Sequence, residues 1–348
     1  MIRILKWLPD KWWWCVKASR QRYWFGRTLA RVVAAAYFVV NVLAYFIQKM
    51  GVLLPDQVRR RLPKPAKHWE NYFFNFLRAF SGFPRVKTIF WVIKAFINYA
   101  LATHELFLLL REEEEIKRRL AELSGPVEGI EIIMRALLDA KKRGRGVIFF
   151  TGHYGNPNHG AQMLLGVFKK LATGEEPLIK GMSVEAMIVA PATTEKEVLF
   201  FNSLRERLGE GITIKPADKV GLEAMEEWLE AGKHLLMVGD LGYRNTRNFV
   251  ELDFFGKKAR FPRGAFWLAQ KTKAPIVVAS CFRERIHPFR VNRYVFRAEK
   301  IIEVEEGQTK QQGKENIVAA MKKWLKIYEG NIKKFPQQWY PLNKIFCE

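Results

Sequence analysis

His153 is the side chain whose type and setting most directly suggest chemistry. It lies in the run Thr151-Gly152-His153-Tyr154-Gly155-Asn156-Pro157-Asn158-His159, directly after the apolar stretch Val147-Ile148-Phe149-Phe150. A histidine at the carboxyl end of a buried strand, inside a glycine-rich turn that opens a helix, stands where open α/β sheets meet their ligands. Its neutral imidazole can take a proton from a hydroxyl. The alternative left open by these residues alone is a turn histidine that only caps the helix. His159 falls in the first turn of that helix, and with no carboxylate or cysteine beside it no metal site is expected. A second cluster begins with Asp240, which ends another buried strand in Val238-Gly239-Asp240. The stretch behind it carries Arg244, Arg247, Lys257, Lys258, Arg260 and Arg263. These six cations could gather at one strand end as a seat for phosphate or an acidic carrier, or could simply be solvated.

The elements that must hold these residues follow from apolar periodicity. Strands are predicted at 147–150, 186–189, 212–214, 235–238, 276–279 and 294–297. Helices are predicted at 129–142, 159–170, 195–208, 220–231, 264–273 and 314–332. Strands alternating with helices of this length indicate an α/β fold with a mainly parallel sheet covered by helices on both faces. That pattern starts near Val127, so 127–348 reads as one α/β domain. Residues 51–126 read as an aromatic helical region packing on it, with two apolar-faced helices between Trp69 and Leu110; their aromatics serve either as ordinary core or as a lipid-facing groove. The run Arg111–Arg119 reads as a solvated helix with i to i+4 ion pairs.

Residues 1–50 read as a hydrophobic and basic helical segment that anchors to a membrane. Residues 1–28 hold seven Lys or Arg against Asp10 alone, with tryptophan at positions 7, 12, 13, 14 and 24. The apolar run Val32–Ile47 is about one turn short of the roughly 20 residues a spanning helix needs. Six more cations flank it in Lys49–His68. A tilted anchor, an in-plane helix and a buried core helix all remain open.

The whole chain of 348 residues carries 58 Lys and Arg against 35 Asp and Glu, a net charge of +23, and is 49% hydrophobic and 14% aromatic. The apolar share excludes a disordered chain. The charge calls for an acidic partner: nucleic acid, anionic lipid or an acidic carrier protein. No zinc finger, helix-turn-helix cue or aromatic RNA-binding motif accompanies it, so no nucleic-acid partner is expected. Cys15, Cys281 and Cys347 are odd in number and widely spaced, which fits a reducing compartment without a disulfide framework.

Taken in order, five segments resemble the lysophospholipid acyltransferase superfamily. The branch is that of the lipid A late (lauroyl and myristoyl) acyltransferases and the phosphatidylinositol mannoside acyltransferases. The segments are Gly129-Ile130-Glu131 leading through Arg145-Gly146 into the Val147 strand; Gly152-His153-Tyr154-Gly155-Asn156; Gly239-Asp240 with Asp253-Phe254-Phe255-Gly256; Arg260-Phe261-Pro262-Arg263-Gly264-Ala265 with Leu268-Ala269; and Phe335-Pro336-Gln337-Gln338-Trp339. The likeness runs from about residue 127 to 345. It implies a glycerolipid acyltransferase-like fold and transfer of a fatty acyl group from an acyl-carrier-protein or coenzyme A thioester to a hydroxyl of a lipid or glycolipid. It implies no cofactor beyond that co-substrate, an anionic membrane surface as partner, and a place on the cytoplasmic face of the cell inner membrane.

In that family the first motif is His-x4-Asp/Glu, the histidine acting as general base and the acid orienting it. His153 matches the base, but position 158 is Asn, which can fix a tautomer and supplies no charge. The resemblance therefore points to a catalytic set of His153 and Asn158 with Glu206 or Asp240 as the substitute carboxylate. Tyr154, Gly155, Asn156, Arg244, Arg247, Arg260 and Arg263 are its substrate-binding candidates. The family's arginine before proline is replaced by Ala190-Pro191. These departures leave a second reading open, a weak or inactive relative that binds lipid or acyl carrier.

Overall fold

The structure is a computed structural model describing residues 67–108, 122–173, 185–190, 212–216, 221–240, 248–283, 293–341 and 343–347. The segment 1–50 expected to anchor, the charged helix expected at 111–119, the helix predicted at 195–208, Glu206, Arg244 and Arg247 lie outside these residues. Among the described residues, no helix is long and apolar enough to cross a membrane.

The described chain runs α1 (Lys67–Ala79), α2 (Arg85–Leu108), β1 (Ser124–Glu128), α3 (Ile130–Lys142), β2 (Ile148–Thr151), α4 (Pro157–Thr173), β3 (Ala186–Ala190) and β4 (Ile212–Pro216). It continues α5 (Leu222–Glu230), β5 (His234–Val238), β6 (Phe249–Phe254), β7 (Lys257–Pro262), α6 (Gly264–Thr272), β8 (Ile276–Phe282), β9 (Tyr294–Ile302) and α7 (Lys310–Lys334). Seven strands form one sheet in the order β1-β9-β8-β2-β5-β3-β4. β2, β3, β4, β5 and β8 run parallel; β9 pairs antiparallel with β8, and β1 joins β9 in parallel.

Successive strand residues face opposite sides, and both sides are covered. Ile148, Phe150, Leu235, Ile276 and Val278 pack with α5, α6 and α7, while Phe149, Leu236, Val277 and Ala279 pack with α3 and α4. This is why the central strands read as continuous apolar runs in the sequence.

Two features differ from the pattern read along the chain. The sheet begins before Val127, at Ser124, because the polar run Ser124-Gly125-Pro126-Val127-Glu128 forms its edge. The stretch behind Asp240 is also no loose basic loop: β6 and β7 form an antiparallel hairpin. Leu252, Phe254, Ala259 and Phe261 are buried in it, so the charges alternate outward. Its turn puts Phe255 at φ 53° and Gly256 at φ 71°, as a two-residue hairpin connection requires. The strained Phe255 is held by its N–H donating to Glu329 Oε2 (2.9 Å) and by its ring stacking on Trp339.

α1 and α2 lie against the end of the chain. Phe76 meets Trp339, and Phe80 meets Trp91 and Phe255. Buried Asn75 donates to the carbonyls of Pro341 and Asn343 and accepts from the Ile345 N–H, fixing the tail in place of a strand partner. Asn98 donates to the Gln337 carbonyl (2.8 Å). Phe76 and Phe80 are therefore core, whereas Phe83 and Phe90 remain exposed.

His159, in the first turn of α4, is a buried structural residue. Its Nε2 is 3.2 Å from Ser124 Oγ, and its ring lies 4.7 Å from that of Tyr294, so it ties α4 to both reversed strands. Burial pulls its pKa from 6.5 to about 4, with Glu105 opposing the shift and Arg283 adding to it. The unfolded chain takes up this proton below about pH 6.5 while the folded chain stays neutral to about pH 4, so stability drains away across that window as pH falls. The full shift corresponds to about 3 kcal/mol. In denaturant titrations at pH 7 and pH 4, wild type should lose about that much more stability than His159→Gln; equal losses would show that His159 is not buried neutral.

Candidate functional site

The site is assembled where β2 and β5 end side by side. Gly239 N–H donates to the Thr151 carbonyl (2.9 Å), which locks the two strand ends in register. Gly239 must be glycine, since an added Cβ would sit 2.0 Å from the Phe150 ring. At Gly152 a Cβ would sit 2.4 Å from the Tyr328 ring of α7. The two glycines thus let Asp240 and His153 approach each other with Tyr328 close behind.

Asp240 takes three hydrogen bonds on two oxygens. Oδ1 is 2.6 Å from His153 Nδ1, and Oδ2 accepts from the His153 backbone N–H (3.0 Å) and from the Tyr328 hydroxyl (2.7 Å). The carboxylate is 2% exposed and the imidazole 18%, so the ring alone reaches solvent. Burial by itself would raise the Asp240 pKa, but the charge of His153 and the hydrogen bonds from its ring, from Tyr328 and from the His153 backbone together hold it below the usual carboxylate range. Burial, with the Asp240 charge and hydrogen bond, pushes the Tyr328 hydroxyl well above its ordinary value, so it stays a donor. With Asp240 ionised, the short contact requires a proton on Nδ1, which leaves the lone pair of a neutral imidazole on Nε2. A ring held in this way can accept a proton at Nε2 and, once charged, is stabilised by the carboxylate.

The loop after His153 is strapped on both sides. The Tyr340 N–H donates to the His153 carbonyl, the Gly155 N–H to that of Gln338, and the Asn156 N–H to that of Cys281. Gly155 adopts φ +69°, and a Cβ there would meet the Cys281 carbonyl at 1.8 Å. Behind the loop, Asn156 Nδ2 donates to the Tyr294 hydroxyl (3.1 Å), which donates to Glu105 Oε2 (2.7 Å). Glu105 also forms a buried ion pair with Arg283. Gln338 accepts from the Arg283 N–H and donates to its carbonyl, closing the network on the tail.

Of the carboxylates considered for His153, Asp240 is the one that the described residues bring to it. Asn158, at the family's acid position, is exposed on the first turn of α4. It lines instead a cleft of about 70 Å³ on the α4 face of the sheet, shared with Ala161, Leu164, Ile188, Leu236 and Val238. Tyr154, Gly155 and Asn156 are buried, and Tyr154 donates its hydroxyl to the Asn331 carbonyl (2.9 Å). They shape the loop and do not line an open surface. Nor do the hairpin cations gather at the dyad: Lys257 donates to the Arg78 carbonyl and Ser81, Lys258 pairs with Asp253, and Arg260 lies 3.7 Å from Glu251. Arg263 precedes the first residue of α6. Among the described residues, no group of three His, Cys, Asp or Glu is placed to hold a metal.

The sequence reading missed Tyr328, Glu105, Arg283 and Tyr294. Two signals were available: Arg283 directly follows an apolar strand, and Glu105 is the first acid after an acid-free stretch beginning at Asn71. Tyr328 lies among the apolar positions of a long helix and carries no local signal.

The family model of bacterial lipid A biosynthesis acyltransferases matches residues 90–347, which takes in both dyad residues and Glu105. The chain belongs to that family. No curated protein matches it. As a member of the lipid A acyltransferase family, the chain is an acyltransferase acting on lipid, and the family implies a lipid acceptor and an acyl thioester donor.

Experiment can separate Asp240 from Asn158 as the group that orients the ring. Asp240→Asn should lower turnover by about 10²- to 10⁴-fold with the fold retained by circular dichroism, while Asn158→Ala stays within a few-fold of wild type. The reverse ranking would place the orienting group at position 158.

Proposed function

We propose that the protein transfers a fatty acyl group from an acyl-carrier-protein or coenzyme A thioester to a hydroxyl of a membrane lipid or glycolipid, with His153 as general base and Asp240 as the carboxylate that orients it. The observation that carries this reading is the 2.6 Å contact between His153 Nδ1 and the buried Asp240. In the reaction the acceptor oxygen attacks the thioester carbonyl as its proton passes to Nε2. Collapse of the tetrahedral intermediate breaks the carbon–sulfur bond, and the departing thiolate takes the proton from the imidazolium. Asp240 keeps its charge throughout and stabilises the imidazolium while it exists. No cofactor enters these steps; the thioester is a co-substrate.

The alternative of an inactive relative was motivated by Asn158 at the acid position and by Ala190 in place of the family's arginine. Asp240, which follows β5 and lies against the ring, weighs against the first motive. The apolar cleft beside Asn158 offers part of the acyl chain a place out of water. Arg263, together with Arg244 and Arg247, remains a candidate for the anionic parts of donor or acceptor. The apolar run Val32–Ile47 and its basic flanks support association with the inner membrane, where each Lys or Arg near an anionic surface adds about 1 kcal/mol. Because acyl carrier protein and coenzyme A thioesters are cytoplasmic, the reaction belongs on the cytoplasmic face.

The test is transfer from an acyl-carrier thioester to a membrane lipid extract, followed by mass spectrometry. Wild type should convert an acceptor to a species heavier by one acyl group, and His153→Ala should lower kcat/KM roughly a thousandfold. Full transfer by His153→Ala would overturn the base assignment, and donor binding without turnover by wild type would favour the inactive relative.

A further inference from the structure

The connection between α1 and α2 presents an exposed surface that the dyad does not use. Every residue from Ser81 to Lys87 is exposed. Phe83 is 47% exposed and Val86 79%, and Phe90, one turn along α2 from Val86, is 52% exposed. Exposed apolar residues scattered singly are ordinary, but these share one tip and are ringed by cations. Lys87 Nζ lies 5.2 Å from the ring centres of both Phe83 and Trp91, and Lys94 Nζ 4.3 Å from that of Phe90. From Asn71 to His104 the sequence carries Arg78, Arg85, Lys87 and Lys94 and no acid. The tip is also firmly seated. Phe80 beneath it packs on Trp91 and Phe255, and Phe76 packs on Trp339. Trp339 bridges to Tyr154, beside His153.

We propose that this tip is an interfacial wedge, in which Phe83, Val86 and Phe90 enter the headgroup boundary of an anionic bilayer while Arg78, Arg85, Lys87 and Lys94 contact its phosphates. Aromatic and aliphatic side chains set in a cationic, acid-free collar match a surface that is apolar within and negative at its face. An acidic protein would account for the cations and not for three apolar side chains exposed at one tip. Because α1 and α2 pack on the strap that holds the His153 loop, the wedge would set the orientation of the site toward the membrane. The proposal rests on the reading that the acceptor lies in a bilayer, and the two fail separately, since the wedge uses neither His153 nor Asp240.

The experiment is photolabelling of the full chain on vesicles of phosphatidylcholine and phosphatidylglycerol that contain a diazirine-acyl phosphatidylglycerol, with adducts mapped by peptide mass spectrometry. Adducts should concentrate in residues 81–94 and fall about tenfold in Phe83→Ser/Val86→Ser/Phe90→Ser. They should fall several-fold in Lys87→Glu/Lys94→Glu. Both variants should keep the wild-type circular dichroism spectrum, because the replaced side chains are exposed and Phe83 gives up edge contacts with Phe80 and Trp91 alone among the rings beneath it. His153→Ala should lose acyl transfer and keep the adducts, which separates failure of the dyad from failure of the wedge. Adducts at 81–94 no more abundant than at the distant Lys273–Glu306 surface would overturn the proposal. So would unchanged adducts in the serine variant, or a tip that cross-links to residues 1–66, to a second copy or to an acyl carrier protein.

Discussion

A carboxylate shut away from water has to be held by donors, and the architecture around the site follows from doing this for Asp240. An unpaired charge at 2% exposure would be prohibitive. Three hydrogen bonds, one of them to a group that can become cationic, remove that penalty and keep the carboxyl ionised. The three donors come from two elements: the ring and backbone of His153 from the β2 loop, and the hydroxyl of Tyr328 from the last helix. Bringing them together needs bare backbone at Gly152 and Gly239, where any side chain would strike an aromatic ring.

The same economy appears in the loop itself. Its backbone polar groups find partners in Cys281 at the end of β8 and in the tail at Gln338 and Tyr340, so the histidine is positioned by elements far apart in sequence. The Glu105–Arg283 pair, Tyr294 and Asn156 form a second buried polar layer under the first. A buried ion pair of this kind adds little net stability, but each partner breaks a costly network if lost, which holds α2, β8 and β9 to one geometry. The His153 loop and the helices α1 and α2 are thereby parts of one packed unit.

Much of this was legible in the sequence, for identifiable reasons. Central strands buried on two faces must be apolar throughout, so the runs at Val147, Leu235 and Ile276 announced themselves, and the helices between them kept their period. His153 and Asp240 were visible because each ends such a run. Their pairing was not, since Asp240 and Glu206 both stood near strand ends and only the order β2-β5 in the sheet brings one to the ring. The β6–β7 hairpin was obscured by its outward lysines and arginines, which read as a basic loop although Leu252, Phe254, Ala259 and Phe261 alternate inward. Tyr328 contributes through tertiary placement alone, on a helix whose buried stripe also includes Trp324 and Leu325.

On the proposed reading, the motif keeps its chemistry although position 158 has lost its acid. The exposed setting of Asn158 on α4 demands no charge, because the carboxylate that the imidazole needs arrives from a neighbouring strand. That account stands or falls on which nitrogen of His153 carries the proton. Nitrogen-resolved NMR of histidine-labelled protein near neutral pH, assigned with His153→Gln, reports this directly. Nδ1 of His153 should carry the proton that bridges to Asp240, shifted far downfield, and that shift should be lost in Asp240→Asn. A ring protonated at Nε2 alone, or one indifferent to Asp240→Asn, would contradict the account.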